Sequence, residues 1–194
     1  MEEGIREIQE SIDAGYPNRK AAYKLLVEAY GNMTTYTRKN AEEEKVYVAK
    51  QLEVKRKLFE LYPNDPAVLD SYQQGLENDD QRIEILRKML KLAPNRPDAS
   101  FDLGFLLIKR NDFKDGMRLM KSAIAGQRNP EDVMNYVQRM LGELEDHACP
   151  LPDEKQWQQK VGAAFDKATM GAGDVTAMPT FKKEFLDALD RFNC

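Results

Sequence analysis

The chain is 194 residues long, 42% hydrophobic and 32% charged, with a formal net charge of −4. That is too apolar for disorder and long enough for one domain or a short solenoid. It lacks the global basic field that draws in nucleic acid, and it has no run of about 18 apolar residues that would span a membrane. The acidic opening, MEEGIREIQE, has no apolar core and does not read as a signal peptide. The densest basic clusters are Arg19, Lys20 and Lys24, and Lys55, Arg56 and Lys57; both read as solvated helix faces.

No segment alternates in the manner of a strand. Apolar residues recur at helical spacing, separated by turn residues. Residues 3–14 place Ile5, Ile8 and Ile12 on one helical face, ended by Gly15-Tyr16-Pro17-Asn18. Residues 19–30 carry Tyr23, Leu26, Val27 and Tyr30, and residues 31–39 read as a polar loop. A long helix is expected over 40–62, opened by Asn40 as cap with Glu43 in its first turn and closed by Pro63-Asn64-Asp65. Shorter helices are expected over 66–77, 80–92, 97–110, 112–126 and 130–145. The joint Cys149-Pro150-Leu151-Pro152 leads to a helix at 153–169, and the loop from Gly171 to Asp174 to a last one at 179–193.

One idea recurs along this series. Pro-Asn follows an amphipathic helix at Pro17-Asn18, Pro63-Asn64 and Pro94-Asn95, and Asn129-Pro130 repeats the stop. Pro63 and Pro94 are about 31 residues apart, and Pro97 and Pro130 about 33, whereas Pro17 and Pro63 are about 46 apart; a period near 34 with two helices per unit marks a helical-hairpin solenoid.

Residues 97–130 resemble a tetratricopeptide repeat. Ser100, Leu103, Gly104 and Leu107 stand at the family's first-helix positions, Asn111-Asp112-Phe113 at its turn, and Gly116, Met120 and Ala123 on its second helix. The large first residue is replaced by Ser100 and the closing proline by Arg128. Small residues in such a pattern let paired helices approach closely, Asn111 tolerates a left-handed backbone at the turn, and Phe113 would fill the space between one hairpin and the next. Residues 66–94 and 20–63 fit more loosely, residues 3–17 look like a second helix alone, and Met134, Val137 and Leu141 mark a further first helix. The resemblance implies an all-α, right-handed superhelix. It would comprise a repeat array over 1–146 and a helical cap over 147–194. The half-repeat at the start implies a piece of a longer protein. In the last two helices, Trp157, Val161, Phe165 and Ala168 form one stripe and Phe181, Phe185, Leu189 and Phe192 another. A cap over the array is the reading preferred to a helix that docks on a partner.

In this family the first helix of each repeat lines a concave, partner-binding face. The matching positions are Ala21, Lys24, Leu25 and Glu28, then Ala67, Asp70, Ser71 and Gln74, then Asp98, Phe101, Asp102, Phe105, Ile108 and Lys109, and last Asp132, Asn135, Tyr136 and Arg139. Chaperone-binding members grip a terminal carboxylate there with Lys and Asn. Lys24 fits that clamp, but Glu28 and Ser71 replace its asparagines, and Asp98 and Asp102 stand where cations are needed. Carboxylates would repel a carboxylate, which argues against a heat-shock co-chaperone. Phe101, Phe105 and Ile108 share a helical face, either open to an apolar helix with basic flanks or covered by a neighbouring element.

Nothing in the sequence assembles a catalytic set. His147 is the sole histidine, and with Cys149 and the distant Cys194 it falls short of a closed zinc site. Residues 171–174 lack the Gly-Lys-Ser/Thr ending of a phosphate loop. No metal and no cofactor are expected. Cys149 and Cys194 leave two readings open: free thiols in a cytoplasmic protein, which is favoured, or a bond that would go with a periplasmic or secreted one. The expected function is non-enzymatic binding of a protein or peptide partner. A structural subunit of a larger assembly, or a self-associating one, is the alternative.

Overall fold

Helix-stop chemistry divides the chain before any packing is considered. The computed structural model describes residues 2–38, 40–147, 151–170 and 174–191. Among these residues there are ten α-helices and no strand: α1 (Glu2–Asp13), α2 (Arg19–Thr37), α3 (Ala41–Leu61), α4 (Pro66–Gln73), α5 (Asp79–Leu92), α6 (Pro97–Lys109), α7 (Phe113–Gly126), α8 (Pro130–Asp146), α9 (Glu154–Thr169) and α10 (Ala177–Arg191). Capping side chains explain most of the starts. Asn18, Asn40, Asp65, Asp112 and Asn129 each accept a backbone N–H of the helix that follows. Proline opens α4, α6 and α8, where its missing N–H costs nothing. None of the helices is long and apolar enough to cross a membrane.

The polar loop expected over 31–39 is helix as far as Thr37. Local propensity is poor there, but each threonine turns its hydroxyl back onto the helix: Thr34 and Thr35 donate to Gly31 O, and Thr37 to Met33 O. Met33 is buried among the residues of the first core, so packing extends the helix where composition argued for a loop. In the other direction, α4 ends at Gln73, short of the expected 77.

The chain forms two compact units, Met1–Ile85 and Leu86–Cys194, and the division falls inside α5. In the first unit α2 and α3 pack along each other, α1 lies on α2, and α4 on α3. Ile5, Ile12, Ala22, Leu26, Met33 and Val54 are its core, flanked by Tyr23, Tyr30 and Tyr47. Phe59 stacks on Tyr72 with ring centroids 4.6 Å apart, joining α3 to α4. Lys20 at the start of α2 pairs with Asp65, the cap of α4.

In the second unit α6 and α7 form the tightest pair. A Cβ on Gly104 would lie 2.7 Å from Gly116 O, and one on Gly116 would lie 2.8 Å from Gly104 O and 2.6 Å from Ile108 Cγ1. The two glycines therefore bring backbone against backbone. Between the helices Asn111 takes φ +63°, the left-handed conformation expected of it. Phe113 is half-buried against the core, with its ring edge-on to His147 at 5.3 Å.

The joint at 147–153, where an array and a cap were expected to meet, falls inside this second unit. α9 packs on α8, and α10 on α9 and α7. Val161, Phe181, Phe185 and Leu189 are buried in the same core as Phe101, Met120, Val137 and Met140. Trp157 lies edge-on to Phe181 and Phe185. Lys182 on α10 donates to the carbonyls of Ala125 and Gln127 at 3.1 and 2.8 Å, satisfying groups that the end of α7 leaves open. Cys149, Cys194 and Phe192 lie outside the described residues.

Candidate interaction site

The first-helix positions can be followed one by one. In the first unit Lys24, Leu25 and Glu28 are exposed on α2, with Leu25 at 53% of its full exposure. On α4, Asp70 is half-buried and Gln74 exposed, and the Gln74 amide donates to Asp70 Oδ1 at 3.4 Å.

In the second unit the same positions meet a facing helix. Phe101 is fully buried and stacks on Tyr136 of α8, with centroids 4.2 Å apart and planes 9° from parallel. The Arg139 guanidinium lies 4.9 Å from the Phe101 ring and 4.9 Å from the Phe105 ring, a cation over two aromatic faces. Arg139 also pairs with Asp102 at 3.2 Å. The Tyr136 hydroxyl donates to Asp98 Oδ1. Burial, and next the neighbouring Asp98 carboxylate, hold the Tyr136 hydroxyl well above its ordinary pKa, so it remains a donor at every physiological pH.

These contacts correct the expected groove. Phe101 and Ile108 are core residues with no exposed surface, and Phe105 is half-buried against the same core. The covered alternative is the one the structure adopts for this pair. Asp98 and Asp102 remain at the surface, but each already has a partner on α8. On this face Phe105 is half-buried, and Asp98, Lys109, Asn135 and Arg139 are exposed.

The sequence left open whether a neighbouring element covers this face of α6, although a signal for α8 was present. Asp98 and Asp102 are spaced four apart on one helix, and Tyr136 and Arg139 three apart on the other. Each spacing is about one turn, so an acceptor pair faces a donor pair in register. Elsewhere, no three of His, Cys, Asp and Glu gather as a metal-holding group among the described residues. His147 Nε2 lies 3.2 Å from Glu143 Oε1, one turn earlier on the same helix. In the second basic cluster, Lys57 pairs with Glu53 at 3.1 Å, and burial pushes the Lys55 ammonium below its ordinary pKa. Compared with protein-family models, with curated proteins and with solved structures, the chain matches none.

Proposed function

We propose that the protein is a tetratricopeptide-like helical-repeat scaffold that holds another protein and catalyses nothing itself. The face carrying Asp98, Asp102, Phe105, Asn135 and Arg139 on α6 and α8 is its partner-binding surface, with Lys24, Leu25 and Glu28 on α2 as a second contact. The observation that carries this reading is the α6–α7 hairpin. Glycines at 104 and 116 join its helices backbone to backbone, a left-handed Asn111 makes its turn, and a further helix, α8, covers its first-helix face. That is the geometry a hairpin repeat requires. Arg139 is the expected anchor. It is nearly half exposed at 45%, held over two rings and paired with Asp102, so it loses little rotamer entropy on binding. A peptide or helix with a carboxylate facing Arg139 and an apolar side chain on the Phe105 edge fits this face.

The test is a pull-down from the native source with the intact chain and with Arg139→Glu. Both are first shown by circular dichroism to be folded. A partner retained by the intact chain and lost with the variant supports the reading. A partner kept equally by both removes this face from it.

One observation favours self-association as the second reading. Tyr36 near the end of α2, and Val46 and Val48 near the start of α3, are exposed at 74%, 50% and 49%. They flank the connection between α2 and α3 in sequence, and exposed apolar residues there suit a contact with a second copy or a larger assembly. Light scattering that finds a monomer at all concentrations would remove this alternative.

A further inference from the structure

In the first unit, unsatisfied polar groups gather in one place, where the end of α4 and the loop after it lie on α3. Gln73, the last residue of α4, has no exposed surface. Neither polar atom of its side-chain amide meets a hydrogen-bond partner among the described residues. An amide buried in that way loses its hydration without replacement, which disfavours the packed state. Glu143, a buried acid of the second unit, behaves differently, since its carboxylate meets His147 at 3.2 Å.

Lys55 lies under the same segment. A Cβ on Gly75 would be 2.9 Å from Leu52 Cδ1 and 3.5 Å from Lys55 Cδ. The loop therefore presses on the face of α3 that Leu52, Lys55 and Phe59 share. Lys55 is half-buried there, and no acid offsets the water its ammonium has lost; burial alone shifts its titration, downward.

The two ends of the segment are held firmly and its middle lightly. At one end Asp65 accepts the N–H groups of Ala67 and Val68 and pairs with Lys20, and Val68 and Leu69 are buried. At the other end Asn78 Oδ1 accepts the N–H of Gln81 at 3.1 Å, capping α5. Between these caps α4 has eight residues, too few for a helix to persist without tertiary support. The loop's backbone bonds, Gly75 to Tyr72 O at 3.0 Å and Leu76 to Gln73 O at 3.2 Å, stay within the segment. Tyr72 stacked on Phe59 is the contact that latches it to α3.

We infer that residues 72–77 form a lid over the Leu52, Lys55 and Phe59 face of α3, and that this lid opens between the caps at Asp65 and Asn78 while the rest of the unit stays folded. Opening returns the Gln73 amide and the Lys55 ammonium to water, which offsets part of the lost Tyr72 stack. It also uncovers a lysine between two apolar side chains. The inference does not depend on the proposed partner surface.

The test is native-state hydrogen exchange of the whole chain, followed by NMR where reclosing outpaces exchange. The amides from Tyr72 to Leu76 are expected to share one opening and to exchange faster than those from Val54 to Leu58. Gln73→Leu keeps the bulk and removes the unsatisfied amide, so it is expected to slow the lid amides by about tenfold. Lys55→Met keeps the stem and removes the charge, and is expected to slow them by about threefold. Lys24→Met, exposed on α2, is expected to leave them unchanged. Lid exchange that is unchanged or faster in Gln73→Leu or in Lys55→Met overturns the inference. Faster exchange in Gln73→Leu would assign the amide a partner in the closed state, such as an internal water. Slowing that spreads equally to the α2 amides also overturns it, because the unit would then open only as a whole.

Discussion

The two hairpins α2–α3 and α6–α7 solve the same packing problem in different materials. Each brings two helices together at a glycine. At Gly31 of α2 the nearest atom to a would-be Cβ is Gln51 Nε2, the far end of a flexible side chain, at 2.7 Å. At Gly104 and Gly116 the nearest atoms include backbone oxygens and the inner carbons of Met120 and Ile108. The first contact can yield and the second cannot. The first hairpin also leaves Leu25, Tyr36, Val46 and Val48 exposed, whereas the second is covered by α8 and α10. Rigidity therefore concentrates in the second unit, around the Phe101 core.

The largest effect expected is that of removing Phe101. Phe101→Ala deletes a fully buried ring stacked on Tyr136 and lying beneath Arg139, and should cost roughly 3–5 kcal/mol. Trp157, the only tryptophan, lies in the core that Phe101 shares, so urea denaturation followed by its fluorescence reads the loss directly. Leu26→Ala, the buried counterpart in the first unit, should cost roughly 2–5 kcal/mol. Its loss is read by hydrogen exchange of the α2 and α3 amides. If Leu26→Ala lowered the tryptophan transition as much as Phe101→Ala, the two units would unfold as one.

The glycines set the next test. Gly116→Ala forces a methyl against Gly104 O and Ile108 Cγ1 and should destabilise by about 1–3 kcal/mol. Gly31→Ala displaces only the Gln51 amide, which donates to Val27 O at 3.0 Å. The helix propensity gained, about 1 kcal/mol, offsets that bond, so the thermal midpoint should hardly move. Equal losses in the two variants would erase the distinction between the hairpins.

These contrasts also show what could be read from the chain in advance. The ten helices followed from period and punctuation because each stop is a local event, such as Pro63-Asn64 or Asn129-Pro130. The left-handed Asn111 and the facing pair Gly104 and Gly116 were legible because each residue type is required by backbone geometry alone. The extension of α2 to Thr37 was not, since it rests on Met33 meeting the other side of a core that no local pattern displays. The choice between an open and a covered face of α6 stayed unsettled for a related reason. Phe101 and Phe105 share a helical face, but which helix covers that face depends on the placement of α8.

A smaller effect tests how α10 is held. Lys182 reaches two open carbonyls at the end of α7, and Lys121 pairs with Asp190 at 2.7 Å. Burial keeps the Lys182 ammonium below its ordinary pKa. Lys182→Met keeps the apolar stem and removes the charge, and should cost about 1 kcal/mol after screening. Lys121→Met, at a more exposed pair, should cost about 0.5 kcal/mol or less. Proteolysis at the α9–α10 loop should rise more for the first variant than for the second.

The smallest effect separates two helix caps by their titration. Asp65 starts α4 and Asn129 starts α8, each accepting backbone N–H groups. The Lys20 ammonium beside Asp65, together with the N–H groups of Val68 and Ala67, holds its carboxyl below the ordinary value of 3.8. A depressed carboxyl stabilises the fold above the unfolded value, and that stabilisation is lost as pH falls through the lower folded one. Asp65→Asn keeps a capping oxygen but removes the charge, so it should cost under about 1 kcal/mol at neutral pH. The difference from wild type should shrink between neutral pH and an acid pH below the folded value, where both side chains are neutral. Asn129→Ala removes a neutral cap and should cost about 1 kcal/mol at either pH. Guanidinium denaturation at the two pH values distinguishes them. A pH-independent Asp65→Asn difference would mean that Lys20 contributes nothing to the cap and that the α2–α4 tie is held by packing alone.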